Sequence, residues 1–139
     1  MTIVAGITIV RNSEGKYLFM KRSAKEAYAS GKWDFPGGAK EFLETPEAGA
    51  LRECKEEAGL DVNLNRLVWY RVSQGGLDKN NEFVAFFFLC DIPAEAEVII
   101  SHEHDEYQWL SLEEGRSLES IPWMTEFYKQ LDAGNINLT

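Results

Sequence analysis

Glu53, Glu56 and Glu57 stand at i, i+3 and i+4 within the run from Gly37 to Leu60. On a helix turning about 100° per residue they share one arc roughly 100° wide, while Ala50, Leu51, Cys54 and Ala58 share another side. Carboxylates so spaced repel one another, by roughly a few tenths of a kcal/mol per pair, and something positive has to compensate them. Hard divalent cations fit that need. Mg²⁺ and Mn²⁺ take oxygen ligands and are commonly held by a few carboxylates together with the phosphates of a substrate. Taken by itself, the same pattern also describes a solvated acidic helix face.

The acids need a helix, and its limits are legible. The Thr45 hydroxyl is placed to accept an orphan backbone N–H as N-cap, and Pro46 follows at the first helical position, where its missing N–H costs nothing. Gly59 supplies the stop, because it can turn left-handed just past the last turn. Gly49 sits in mid-helix at a cost of about 1 kcal/mol relative to alanine, projecting between Glu53 and Glu56. Two readings of it stand: clearance for metals or phosphates, and a tolerated cost on a stable helix.

Glu44, Arg52 and the paired glycines Gly37 and Gly38 complete a spaced pattern, Gly-x5-Glu-x7-Arg-Glu-x-x-Glu-Glu-x-Gly-Leu, from Gly38 to Leu60. This resembles the Nudix box, the signature of hydrolases acting on nucleoside diphosphates linked to another moiety. Every charged and glycine position is filled. Cys54 stands where the family usually has an aliphatic residue and packs as a small hydrophobe.

The resemblance implies hydrolysis of a pyrophosphate link with Mg²⁺ as cofactor, Mn²⁺ substituting, and Glu53, Glu56 and Glu57 as metal ligands. It further implies that Arg52 pairs with Glu44 to steady the loop against the helix, although Arg52 also lies four residues before Glu56. Gly37 and Gly38 are expected to bring the backbone close to the helix, Gly37 lending a carbonyl to the metal and Gly38 lying against substrate. The alternative for the pair is a simple tight turn. The general base stays open among Glu53, Glu56, Glu103 and Glu106, with Glu103 favoured. His102 and His104 flank Glu103 and are expected to be solvated. Lys21 and Arg22, at a strand end, are candidates to meet phosphate oxygens. Trp33, Phe35 and Trp69 offer rings to a base, but core packing is the expectation for each.

A chain of 139 residues with 45% hydrophobic and 27% charged residues is expected to be one domain with a real core. Its formal charge of −9 argues against an extended nucleic-acid surface, which needs a basic patch. The partners that follow are a small-molecule nucleotide and, at most, a second copy as a homodimer, with no membrane. Cys54 and Cys90 show neither zinc nor Cys-x-x-Cys spacing and read as free thiols in a reducing cytoplasm. The start of the chain lacks a secretory leader pattern, and no apolar run approaches the roughly 20 residues that span a bilayer.

Along the chain, strands are expected at Ile3–Val10, Tyr17–Arg22, Trp33–Phe35, 62–72, Phe83–Cys90 (buried on both faces), Glu97–Ile100 and Tyr107–Leu110. A loop is expected at Ser23–Lys32. Ile121, Met124, Phe127, Tyr128 and Leu131 recur at helical spacing. The fold class is α/β, a mixed sheet between helices, and the resemblance implies the Nudix α/β/α sandwich. Within the family, a proline or a tyrosine some fifteen to eighteen residues past the box marks the ADP-ribose or dinucleoside polyphosphate subclass. Gly75, Gly76, Leu77 and Asp78 occupy that region, which disfavours both. Two rivals to the hydrolase remain: a nucleotide-sensing module that kept the fold without the chemistry, and a scaffold with no ligand.

Overall fold

The computed structural model describes residues 1–75, 78–93 and 96–139; Gly76 and Leu77, half of the subclass-marking region, lie outside the described residues. Strand β1 (Thr2–Arg11) is the spine of a seven-stranded mixed sheet. It runs parallel to β6 (Glu82–Asp91) over its whole length, and β6 in turn pairs antiparallel with β5 (Asn63–Gln74) at the edge. On its other side β1 meets β2 (Tyr17–Arg22) at Arg11 and Tyr17, then diverges and pairs with β4 (Gly37–Ala39). β2 continues the sheet through β3 (Trp33–Asp34) and β7 (His104–Leu110). The sheet therefore splays open beside the two glycines of the box.

Helix α1 (Pro46–Ala58) covers one face, and α2 (Leu112–Gly115) and α3 (Pro122–Asp132) lie on the other side. This is the expected sandwich. The run of β6 explains why it had to be: Phe87 and Leu89 enter the cluster under α3, while Phe88 and Cys90 enter the cluster under α1. A strand apolar on both faces needs a layer on each. Trp33 and Phe35 belong to the α3-side core, and Trp69 stacks on Phe87 with ring centroids 4.7 Å apart.

The caps of α1 are as read. Thr45 Oγ1 accepts the Ala48 N–H at 3.1 Å, and Gly59 takes φ 68°. Glu97–Ile100 forms no strand, contrary to expectation. Instead the Ile99 and Ser101 N–H groups donate to the carbonyls of Ala58 and Glu57, so the segment satisfies the helix C-terminus rather than a sheet edge. Two short elements were not foreseen. β4 consists of two glycines and an alanine, which carry no strand signal. α2 is one turn held by a capping box between Ser111 and Glu114.

Candidate active site

Gly6 sets how closely α1 lies on the sheet. A Cβ there would collide with the Pro46 carbonyl and stand 2.8 Å from the Ala50 Cβ, so the first turn of α1 packs directly on β1. The box glycines have separate duties. A Cβ on Gly37 would lie 2.6 Å from the Gly6 carbonyl oxygen, and one on Gly38 would lie 2.9 Å from the Glu53 Cδ. Gly37 thus lets β4 seat on β1, and Gly38 lets the chain pass against the Glu53 carboxylate.

Arg52 organises the acidic flank. Its Nε and Nη2 donate to the two oxygens of Glu44 at 2.9 and 3.0 Å, a bidentate pair. Nη1 reaches Glu53 at 2.9 Å and Glu56 at 3.2 Å, and Nη2 also reaches the Ala39 carbonyl at 3.3 Å. Both partners weighed for Arg52 are engaged at once, along with Glu53. The guanidinium beside it, with the Glu41 N–H, holds the Glu44 carboxyl below the usual range. Burial pushes the Glu53 carboxyl up, against the pull of Arg52 and with the help of Glu56 and Glu103.

Glu57 is not on a solvated face. It is buried, its Oε2 accepts the Gly37 N–H at 2.8 Å, and its carboxyl is pushed up to about 9 by burial first and then by Asp34 and Glu53. Gly37 meets Glu57 through its amide N–H, an atom distinct from the carbonyl expected to face a metal.

Four other placements differ from expectation. Gly49 is buried under the loop before α1: a Cβ there would meet Glu44 Oε1 at 3.0 Å and Lys40 Cβ at 3.1 Å, so its clearance serves the loop. Lys21 pairs in register with Trp33, a core residue of the α3 side, which puts it on the face away from α1. Glu106 pairs with Lys21 and shares that face, whereas Glu103 is exposed yet near enough for its charge to raise both Glu53 and Glu57. His104 is not solvated but buried. It opens β7, with Nε2 3.3 Å from Asp34 Oδ1. His102 is exposed, as expected.

Arg22 points to the α1 side, but its guanidinium is held there by Asp34 at 3.3 Å, the Tyr28 carbonyl at 3.0 Å and Glu26 at 3.8 Å. Asp34 was missed by sequence reasoning. The signal was available: a carboxylate between Trp33 and Phe35 alternates onto the face opposite theirs.

Among the described residues, no three His, Cys, Asp or Glu side chains already converge as a metal-ligand group. The cause is local, since Arg52 draws Glu53 and Glu56 toward itself while Gly37 holds Glu57. The residues nevertheless fit a hard cation. The donors are all oxygen, Gly38 keeps the approach to Glu53 free of a side chain, and Glu57 is a buried acid beside two others.

No helix among the described residues is long and apolar enough to cross a membrane. The sequence model of the NUDIX domain matches residues 1–131. A MutT-like protein of Streptomyces ambofaciens is 33% identical over 113 residues, 80% of this chain and 64% of that protein. An 8-oxo-dGTP diphosphatase of Escherichia coli is 43% identical over 54 residues, 39% of this chain and 41% of the enzyme. The match thus spans less than two thirds of either relative. Among solved structures, a MutT protein from Methanosarcina mazei superposes with a TM-score of 0.84 at 28% identity, covering 96% of this chain and 95% of that one. With a family match over nearly its whole length, and the box disposed along one flank of α1, this chain belongs to the NUDIX domain family.

Proposed function

We infer that the chain is a divalent-metal-dependent hydrolase of the pyrophosphate bond in a nucleoside diphosphate linked to another moiety, with nucleoside triphosphates, such as oxidised purine forms, as the leading substrates and dinucleoside polyphosphates next. The observation that carries this reading is the flank of α1, where Glu53, Glu56 and Glu57 stand together and Arg52 ties the first two to Glu44. Similarity to an 8-oxo-dGTP diphosphatase supports the choice of substrate class. Mg²⁺ would be held by Glu53, Glu56 and Glu57 with the Gly37 carbonyl, Mn²⁺ substituting. When bound, such an ion neutralises charge developing on phosphate oxygens and makes water a better nucleophile.

The chain's own residues supply the rest. α1 is a rigid carrier, which holds ligands to the tolerance that in-line displacement needs. Arg52 and Glu44 keep the loop and helix in register. Glu103, exposed and close to Glu53 and Glu57, is the favoured general base, and Arg22 with Gly38 lines the approach. Buried, unbridged Cys54 and Cys90 suit the cytoplasm.

The test is incubation with Mg²⁺ and a panel of nucleotides, followed by identification of the phosphate bond broken. Glu56→Gln and Glu57→Gln are each expected to lower turnover by about 100-fold or more with an unchanged circular dichroism spectrum. Near-normal rates in both variants would count against the assignment. Tight nucleotide binding without cleavage by the unaltered protein would favour the sensing module instead.

A further inference from the structure

Beneath the acidic flank lies a buried polar chain that the reading above does not use. Asp34, Glu57 and His104 are the buried ionisable side chains of Asp, Glu, His, Lys or Arg type among the described residues, and they adjoin one another. Asp34 divides its oxygens, Oδ2 accepting from Arg22 Nη1 at 3.3 Å and Oδ1 from His104 Nε2 at 3.3 Å. That contact orients the imidazole. Its other nitrogen, Nδ1, then faces Glu57 Oε1 at 3.8 Å, in a side chain only 1% exposed.

At 3.8 Å this is not a hydrogen bond. Nδ1 is buried and has no hydrogen-bond partner among the described residues. An unmet buried nitrogen is costly, and native structures keep few of them without a functional reason. Glu57 Oε2 is already held by the Gly37 N–H, so a small rotation of the carboxylate about that anchor brings Oε1 within reach of Nδ1.

We propose that His104 is the positioning residue for Glu57: anchored through Nε2 to Asp34, which Arg22 holds in turn, it closes a hydrogen bond from Nδ1 to Glu57 Oε1 when Glu57 turns to hold a cation. This rests on the metal-binding reading given above. With Gly37 behind one oxygen and His104 behind the other, the carboxylate plane is fixed and each oxygen retains a lone pair for the ion. Outer partners of this kind commonly contribute about 10–100-fold to metal affinity or activity.

The test uses isosteres that separate the two ring nitrogens. Asn at this position places its amide near the site of Nδ1, and Gln places its amide near that of Nε2. His104→Gln and His104→Phe are expected to weaken Mn²⁺ binding, measured by electron paramagnetic resonance of the free ion, by about 10–100-fold. They should lower kcat far more than they raise KM. His104→Asn should recover a substantial part of both losses. The matched pair of polar variants keeps the comparison informative where His104→Phe fails to fold.

In the unaltered protein, the ¹⁵N resonance of His104 Nδ1 should move on addition of Mg²⁺, and Glu57→Gln should abolish that movement. Wild-type Mn²⁺ affinity in His104→Gln, or an Nδ1 resonance indifferent to Mg²⁺, would overturn the positioning role while leaving the metal site standing. Failure of the unaltered protein to bind Mn²⁺ would overturn both readings.

Discussion

Arg52 is surrounded by acid yet partly covered, with 23% of its side chain exposed, and its geometry decides what it does. A planar fork meets both oxygens of Glu44 while the remaining nitrogen spans Glu53 and Glu56. Lysine offers one point charge and cannot make this set of contacts. Arg52→Lys is therefore expected to lower turnover by about 10–100-fold while Mn²⁺ still binds, because the ligands persist but lose their common tether. Steady-state kinetics alongside direct Mn²⁺ titration checks it. Glu44→Gln should produce much the same defect. The double variant should be little worse than either single one, since both remove one pair.

At the scale of elements, two backbone positions carry opposite lessons. Gly6 is where β1 and α1 touch, and the methyl of Gly6→Ala would be forced against the Pro46 carbonyl and Ala50. Overpacking of this kind costs about 1–3 kcal/mol, to be read as a lower denaturation midpoint. The acidic flank should shift with the helix, so turnover is expected to fall as well.

Leu43 is the reverse case. It is exposed, with φ 63°, in the loop that Arg52 ties down through Glu44. Left-handed backbone costs a branched L-residue about 1–2 kcal/mol. Glycine gives back roughly 0.4–1 of that through unfolded-state entropy. Leu43→Gly should therefore gain roughly 0.5–1 kcal/mol, measured by urea unfolding. A loss of stability would mean that the Leu43 side chain makes contacts worth more than the strain.

For the whole molecule, the packing of α1 on the sheet seals both thiols. Cys54 and Cys90 are fully buried in the α1-side core, and burial pushes the Cys54 thiol up to about 11 and the Cys90 thiol up to about 12. Neither should react with an aromatic disulfide reagent at pH 8 until the protein is denatured, whereupon both should. The linkage has a definite sign. Both folded values lie above the ordinary thiol value of 9.0, so the contribution to stability is intact below pH 9 and is lost as pH rises beyond it. Each thiol then removes about 1.4 kcal/mol per pH unit until its folded value is reached. Unfolding midpoints should drop steeply above pH 9, and less so in Cys54→Ala.

Local chemistry was enough to determine much of this protein. The cap at Thr45, the stop at Gly59, the arc of three glutamates, the apolar run of β6 and the α3 periodicity all depend on neighbours within a few residues, and each appears where the sequence puts it. The spaced glycines and charges of the box likewise carry the resemblance to the Nudix family in the sequence itself. A helical wheel, however, supplies an angle and not a depth. Glu57 is buried, and Glu56 is not, because the side of α1 that carries Glu57 meets His104 of β7 and Gly37 of β4. His104 is joined to Asp34 across 70 positions of chain. Gly49 gives room to a loop, and Lys21 faces away from α1, for the same reason. Which strands pair, and which loop closes over a helix, is settled by the packing of elements distant in sequence, and only the tertiary structure carries that information.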